Sequence, residues 1–295
     1  AGVRQREEDR KGMNLSLSSV FRIIGIVLVI VGISMVPSFI VSLIYDGSSV
    51  WGPFIVTILA AVLSGLVLII KCSRPARQLK VRDGFLIVTV CWFISAALGA
   101  VPFVVTGSIT SPVDAFFESC SGFSTTGSTI LPDVGVLPKG ILFWRSFTHW
   151  IGGMGILVFA IALMPSLGIS GQNIAVSEAP GPSLDKTSPK MSDTAKGLYV
   201  IYILFTVIET ILLMLGGMSL YDSLIHTFGS VGTGGLSNYN DSVGHFNSDY
   251  ISLVITLFMI MCGVNFNLYH SFRKRGFRAL WEDGEFRFYM FVTFG

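Results

Sequence analysis

Apolar positions along this chain gather into long blocks: Val20 to Ile44, Phe54 to Ile70, Phe85 to Val105, Ile141 to Met164, Leu198 to Leu215 and Tyr250 to Leu268. Each is close to the roughly 20 residues an α-helix needs to cross about 30 Å of hydrocarbon. The pattern therefore predicts transmembrane helices, with a further apolar run opening near Phe286 and reaching Gly295. Two connections do not read as simple turns. "FFESCSGFSTTGSTILPD" (116–133) and "YDSLIHTFGSVGTGGLSNYND" (221–241) are dense in hydroxyls and glycines. Each opens with a short helix behind an Asp, Asp114 or Asp222, read here as the N-cap. The Thr/Gly stretch that follows cannot continue it. A helix too short to cross, followed by irregular polar backbone, predicts a re-entrant segment, tolerated at membrane depth only when shielded by protein or lining water.

The two segments are copies of one pattern. Setting Asp222 on Asp114 places Thr233 on Thr125 and Gly235 on Gly127, the offset being 108 each time (222−114, 233−125, 235−127). Each unit is span, short helix, Thr/Gly loop, span. Two crossings return the chain to its starting side, so the units are parallel repeats related by rotation about the membrane normal.

Composition and charge add orientation. With 52% hydrophobic and 13% charged residues in 295, the chain is too apolar for a soluble domain. The net charge of +2 conceals a segregation. Arg4, Arg6, Arg10, Lys11 and Arg22, then Lys71, Arg74, Arg77, Lys80 and Arg82, then Lys186, Lys190 and Lys196, then Arg273, Lys274, Arg275 and Arg278 all fall on one side. The other side carries Asp46, Asp114, Glu118, Asp222, Asp241 and Asp249, against Lys139 and Arg145 alone. This places the N-terminus in the cytoplasm. Cys72, Cys91, Cys120 and Cys262 show no CxxC spacing and read as small buried apolar residues. No nucleophile elbow, paired-carboxylate site or metal spacing among His149, His226, His245 and His270 points to an enzyme, and no basic motif points to nucleic acid. "GSVGTGG" follows no strand, which argues against a dinucleotide loop.

Parallel units around an axis bring their loops together at its centre, where backbone carbonyls can replace a cation's water, as in the TVGYG filter of K⁺ channels. Thr125-Thr126-Gly127, preceded by Ser124, and Thr233-Gly234-Gly235, preceded by Gly232, are the candidate ion ligands. Glycine supplies backbone angles that a Cβ forbids. The C-terminal ends of the short helices, near Ser121 and Gly229, favour cations there. Arg145, about one turn into the fourth span, is expected to pair with Glu118 on the first short helix, the alternative being that it snorkels to the interface. Gly152, Gly153 and Gly155 read as helix-packing positions. Asn265 and Asn267 read as interhelical hydrogen-bonders, and Glu209 as a buried carboxyl with a structural bond or an ion-handling role.

"DAFFESCSGFSTTGSTIL", "LPKGILFWRSFTHWIGGMGILVFAIALMP" and "WEDGEFRFY" resemble the TrkH/TrkG/KtrB superfamily of K⁺ transporters, related to the plant HKT proteins. The resemblance implies an all-α polytopic membrane protein with four such units in one polypeptide, preceded by two extra helices. It implies one filter glycine per unit, here Gly127 and Gly235, with K⁺ as transported ion and no organic cofactor. It also implies a homodimeric membrane subunit in the cytoplasmic membrane of a prokaryote, with a cytosolic nucleotide-binding (RCK-type) regulatory partner. The expected division is a tail or remnant (1–12), two N-terminal helices (13–82), a first pore repeat (83–170), a cytoplasmic loop (171–196), a second pore repeat (197–275) and the start of a third (276–295). Two loops make half a ring, so this chain by itself is expected not to conduct. A non-conducting membrane scaffold and a Na⁺-permeable transporter remain the alternatives.

Overall fold

A computed structural model describes residues 17–72, 81–155 and 191–294, apart from 267, 270, 271 and 273–275. The described residues form helices and connections, with no strand. Among the described residues, four helical stretches are long and apolar enough to cross a membrane: Val20–Tyr45, Ser48–Lys71, Leu86–Val105 and Gly197–Leu215. The first is bent. It consists of α1 (Leu17–Ser34) and α2 (Val36–Tyr45), with Met35 between them. Pro37 lacks an N–H and interrupts the ladder at that point. The chain returns through α3 (Ser48–Lys71), which crosses α1 where two glycines face each other. A Cβ on Gly65 would sit 2.6 Å from the Gly25 carbonyl oxygen, so the close approach depends on small residues. Outward on α3, Val56, Leu59, Leu63, Leu66 and Ile70 stay exposed, an apolar stripe that fits lipid.

The two repeats follow. The first is α4 (Val81–Val105), α5 (Pro112–Phe123) and α6 (Lys139–Gly153). The second is α7 (Met191–Leu215), α8 (Leu220–Val231), a 3₁₀ turn (Ser242–Phe246) and α9 (Asp249–Cys262). Two further helices, α10 (Phe277–Glu282) and α11 (Gly284–Phe294), close the described chain. Two spans differ from the hydropathy pattern. The fourth was expected to continue to Met164, but α6 stops at Gly153 and Gly155 takes a φ of +68°; 156–190 lie outside the described residues. The sixth was expected to reach Leu268, but α9 ends at Cys262 with Gly263 as its cap, a residue that favours helix termination over propagation. Most of the basic residues behind the orientation argument, including Arg4, Arg6, Arg10, Lys11, Arg74, Arg77, Lys80, Lys186, Lys190 and Arg273 to Arg275, lie outside the described residues, as do Asn267 and His270.

Helix α6 is the centre of this arrangement. Trp144 is fully buried on it, donates from Nε1 to the Gly99 carbonyl of α4 at 2.9 Å, and meets Phe123 of α5 edge-on. The N-cap of α6 is Pro138, which has no side-chain acceptor to offer. Asp46, in the turn between α2 and α3, supplies one: its two oxygens accept from the Lys139 and Gly140 N–H groups at 3.0 and 2.8 Å. A carboxylate there satisfies two of the orphan donors of the first turn and complements the helix dipole. Cys91 and Cys262 are buried as expected, whereas Cys120 is exposed on α5.

Candidate functional site: two Thr/Gly loops and the helix between them

The short helices are capped three residues earlier than the Asp residues indicate. The N-caps are Ser111 and Ser219, whose hydroxyls accept from the N–H groups of Asp114 and Asp222 at 3.4 and 3.1 Å. Asp114 and Asp222 therefore sit inside the first turn. In the second helix Ser219 also donates from its hydroxyl to Asp222 Oδ2 at 2.6 Å. The copies remain in register at the other end. Thr125 N–H donates to the Gly122 carbonyl and Thr233 N–H to that of Ser230; Thr126 N–H donates to Ser121 and Gly234 N–H to Gly229.

Both loops then turn left-handed at the same two places. Thr125 and Thr233 have φ of 54° and 57°, Gly127 and Gly235 of 74° and 79°. For a β-branched residue that conformation costs about 1–2 kcal/mol, so the surrounding bonds must impose it. The loops also touch. The Gly234 carbonyl oxygen lies so close to Gly127 that a Cβ there would collide with it. Ser124 Oγ and Thr126 Oγ1 are 2.8 Å apart in the first loop, and Gly232 occupies the helix end in the second.

Behind the first loop stands a buried ion pair. Arg145 Nε donates to Glu118 Oε1 at 2.5 Å, with side-chain exposures of 2% and 0%. Glu118 also accepts from Thr129 Oγ1 at 3.0 Å and from the Ile130 N–H at 3.0 Å, which ties the strand leaving the loop to α5. Arg145 Nη1 reaches the second repeat, donating to the Ser237 carbonyl at 2.9 Å. There the corresponding brace is neutral: His226 Nε2 and Ser237 Oγ are 3.1 Å apart, while His226 Nδ1 faces the Asp222 carbonyl at 2.9 Å. Thr129, Ile130 and Ser237 take part in these braces and were not singled out by the motifs. The repeat register contained the signal, because the offset that carries Thr125 to Thr233 also carries Glu118 to His226 and Thr129 to Ser237.

Helix α6 threads between the two loops on residues without bulk. A Cβ on Gly152 would strike the Phe123 carbonyl at the end of α5, and one on Gly153 would fall 2.9 Å from Gly232 Cα and 2.6 Å from Tyr202 Oη. On the α7 side, Glu209 is fully buried and its Oε1 takes a 2.5 Å bond from Ser230 Oγ at the end of α8. Asn265 donates from Nδ2 to Glu285 Oε2 at 3.5 Å.

Comparison with known proteins places this geometry. The TrkH family of cation transport proteins matches residues 52–293. The chain belongs to that family. It is 36% identical over 285 residues to the Trk system potassium uptake protein TrkH of Halomonas elongata, covering 95% of this chain and 59% of that protein. With the TrkH protein of Escherichia coli K12 the identity is 38% over 280 residues, covering 94% and 58%. Among solved structures, the crystal structure of the potassium transporter TrkH from Vibrio parahaemolyticus aligns with a TM-score of 0.79 at 34% identity, over 94% of this chain and 56% of that one. The chain thus spans less than two thirds of the length of each of these relatives. Family membership makes it a helical polytopic membrane protein of a transport family, not of an enzyme family.

Proposed function

We propose that this chain supplies two of the loops of a K⁺ uptake pathway, with the backbone carbonyls of Thr125, Thr126, Gly127, Thr233, Gly234 and Gly235 as ion ligands and Ser124 and Gly232 at the inner edge. The observation that carries the reading is the pair of left-handed turns at equivalent positions in two loops that meet at Gly127 and Gly234. In an extended strand successive carbonyls point to opposite sides; a left-handed residue at every second position turns them toward a common side. The ends of α5 and α8 lead into the loops, so the negative ends of two helix dipoles favour a cation there. Relatives named as potassium uptake proteins support K⁺ as the ion.

On this reading 83–170 and 197–275 are two pore repeats behind an N-terminal pair of helices (13–82), with 171–196 a cytoplasmic loop and 276–295 opening a third repeat. The N-terminus is cytoplasmic. The membrane subunit works as a homodimer with a cytosolic nucleotide-binding regulatory subunit in a prokaryotic cytoplasmic membrane.

The test is Rb⁺ influx into cells that lack their own K⁺ uptake and express the full-length gene product. Influx that competes with K⁺ and is lost in Gly127→Asp is expected. A product that reaches the membrane and carries no Rb⁺ would overturn the proposal in favour of a scaffold.

A further inference from the structure

One buried polar side chain of α6 has no part in the braces described above. His149 is fully buried, and neither ring nitrogen makes a hydrogen bond of good geometry among the described residues, the backbone of Ser121 being the one group that acts on the ring as an acceptor. One poorly aligned backbone contact leaves the ring under-satisfied, and a buried polar group in that state is costly. What the ring does have is contact. The three atoms nearest to a Cβ built on Gly234 all belong to the imidazole, close enough that any side chain there would collide with the ring. The backbone of the same residue meets the neighbouring position: a Cβ on Gly232 would fall 2.7 Å from the His149 carbonyl oxygen. The Gly234 carbonyl oxygen in turn abuts Gly127 of the first loop. Ring, second loop and first loop are thus in successive contact.

We propose that His149 is a specificity-determining positioning residue whose flat ring is the wall that sets where the Gly234 carbonyl stands against Gly127. The inference rests on the reading of these loops as an ion filter. Discrimination between K⁺ and Na⁺ depends on the number and spacing of coordinating carbonyls, and close-packed neighbours pass a volume change on as a displacement. The thickness of the side chain at 149 then tunes selectivity without touching the ion. Gly234 is not among the glycines with positive φ, so an Ala there is opposed by the ring and not by its own backbone.

That asymmetry gives a size-swap test in the full-length protein. K⁺ and Na⁺ competition for Rb⁺ influx is measured for wild type, His149→Ala, Gly234→Ala and the double variant. Each single change is expected to lower the K⁺ over Na⁺ preference about tenfold, an effect within the range for touching residues, and the double variant to recover most of it. Additive losses, or an unchanged ratio in His149→Ala, would overturn the positioning role. If His149→Ala does not reach the membrane, His149→Leu, without the flat ring face, is read in its place by the same criterion. A wild type with no Rb⁺ influx would instead overturn the filter reading itself, so the two failures are distinguishable.

Discussion

The first and second loops share a backbone and differ in what stands behind it. Helices of 12 residues, serine caps and the same helix-to-loop hydrogen bonds recur at a constant offset. The supports do not recur. The first loop is held by a charged carboxylate that collects Arg145, Thr129 and Ile130; the second by a neutral imidazole that meets Ser237. Even the close contact between helix and outgoing strand is made differently. Ser121 Oγ donates to the Ser128 carbonyl at 2.6 Å, whereas Gly229 has no side chain, and a Cβ there would fall 3.0 Å from the Leu236 carbonyl oxygen. The loop conformation is the shared requirement, and several side-chain chemistries satisfy it.

This comparison is most severely tested at the ion pair. Arg145→Gln or Glu118→Gln leaves a buried charge without its partner, which costs about 3–5 kcal/mol. A large fall in the thermal stability of the detergent-solubilised protein is expected from each, with strong coupling in the double variant. Independent effects would show that the first loop does not depend on its charged brace.

Next come the two glycines. Gly127→Ala meets both a left-handed φ and the Gly234 oxygen, whereas Gly235→Ala meets the same φ with nothing within 4 Å. The second change should therefore cost only the conformational penalty of about 1–2 kcal/mol and retain measurable Rb⁺ influx; the first should abolish it. Equal effects would mean that contact between loops is unimportant.

At the neutral brace the expected loss is smaller. His226→Phe removes the bond to Ser237, and about 1 kcal/mol of stability is expected to go with it. A loss as large as that of Glu118→Gln would erase the distinction between the repeats.

The smallest effect concerns the linkage between the segments that leave the two loops. Asn240 donates to Asp133 Oδ1 at 2.7 Å and accepts from the Val134 N–H at 2.9 Å. The Asn240 bond, helped by the Gly135 N–H, holds the Asp133 carboxyl below its ordinary pKa. A depressed carboxylate stabilises the fold above its unfolded pKa, and that contribution is lost as pH falls through the folded value. Asn240→Ala should thus shift the acid limb of a stability-against-pH curve slightly toward higher pH. An unmoved limb would remove Asn240 as the cause.

Much of this was legible because it depends on local pattern. Thr125, Gly127, Thr233 and Gly235 announce themselves by residue type and register, and Glu118 and Arg145 by being charges in apolar surroundings. The Ser caps were missed because an Asp next to an apolar pair draws attention away from the Ser three residues before it. The contacts of His149 were not legible. They join positions 85 residues apart in sequence (234−149), and a ring held by packing leaves no mark in composition or periodicity. The ends of α6 and α9 escaped for another reason: hydropathy continues past both, while glycine stops the helix.

Asp46 carries a consequence for the order of events during synthesis. The acceptors that complete the first turn of α6 lie 93 and 94 residues upstream of the N–H groups they serve. Chains emerge N-terminus first, so the turn between α2 and α3 is made before α6 exists. When α6 is made, its cap is already in place, and the helix is not obliged to carry two bare donors while the rest of the protein follows. The N-terminal hairpin thereby presents a ready-made acceptor for the start of α6.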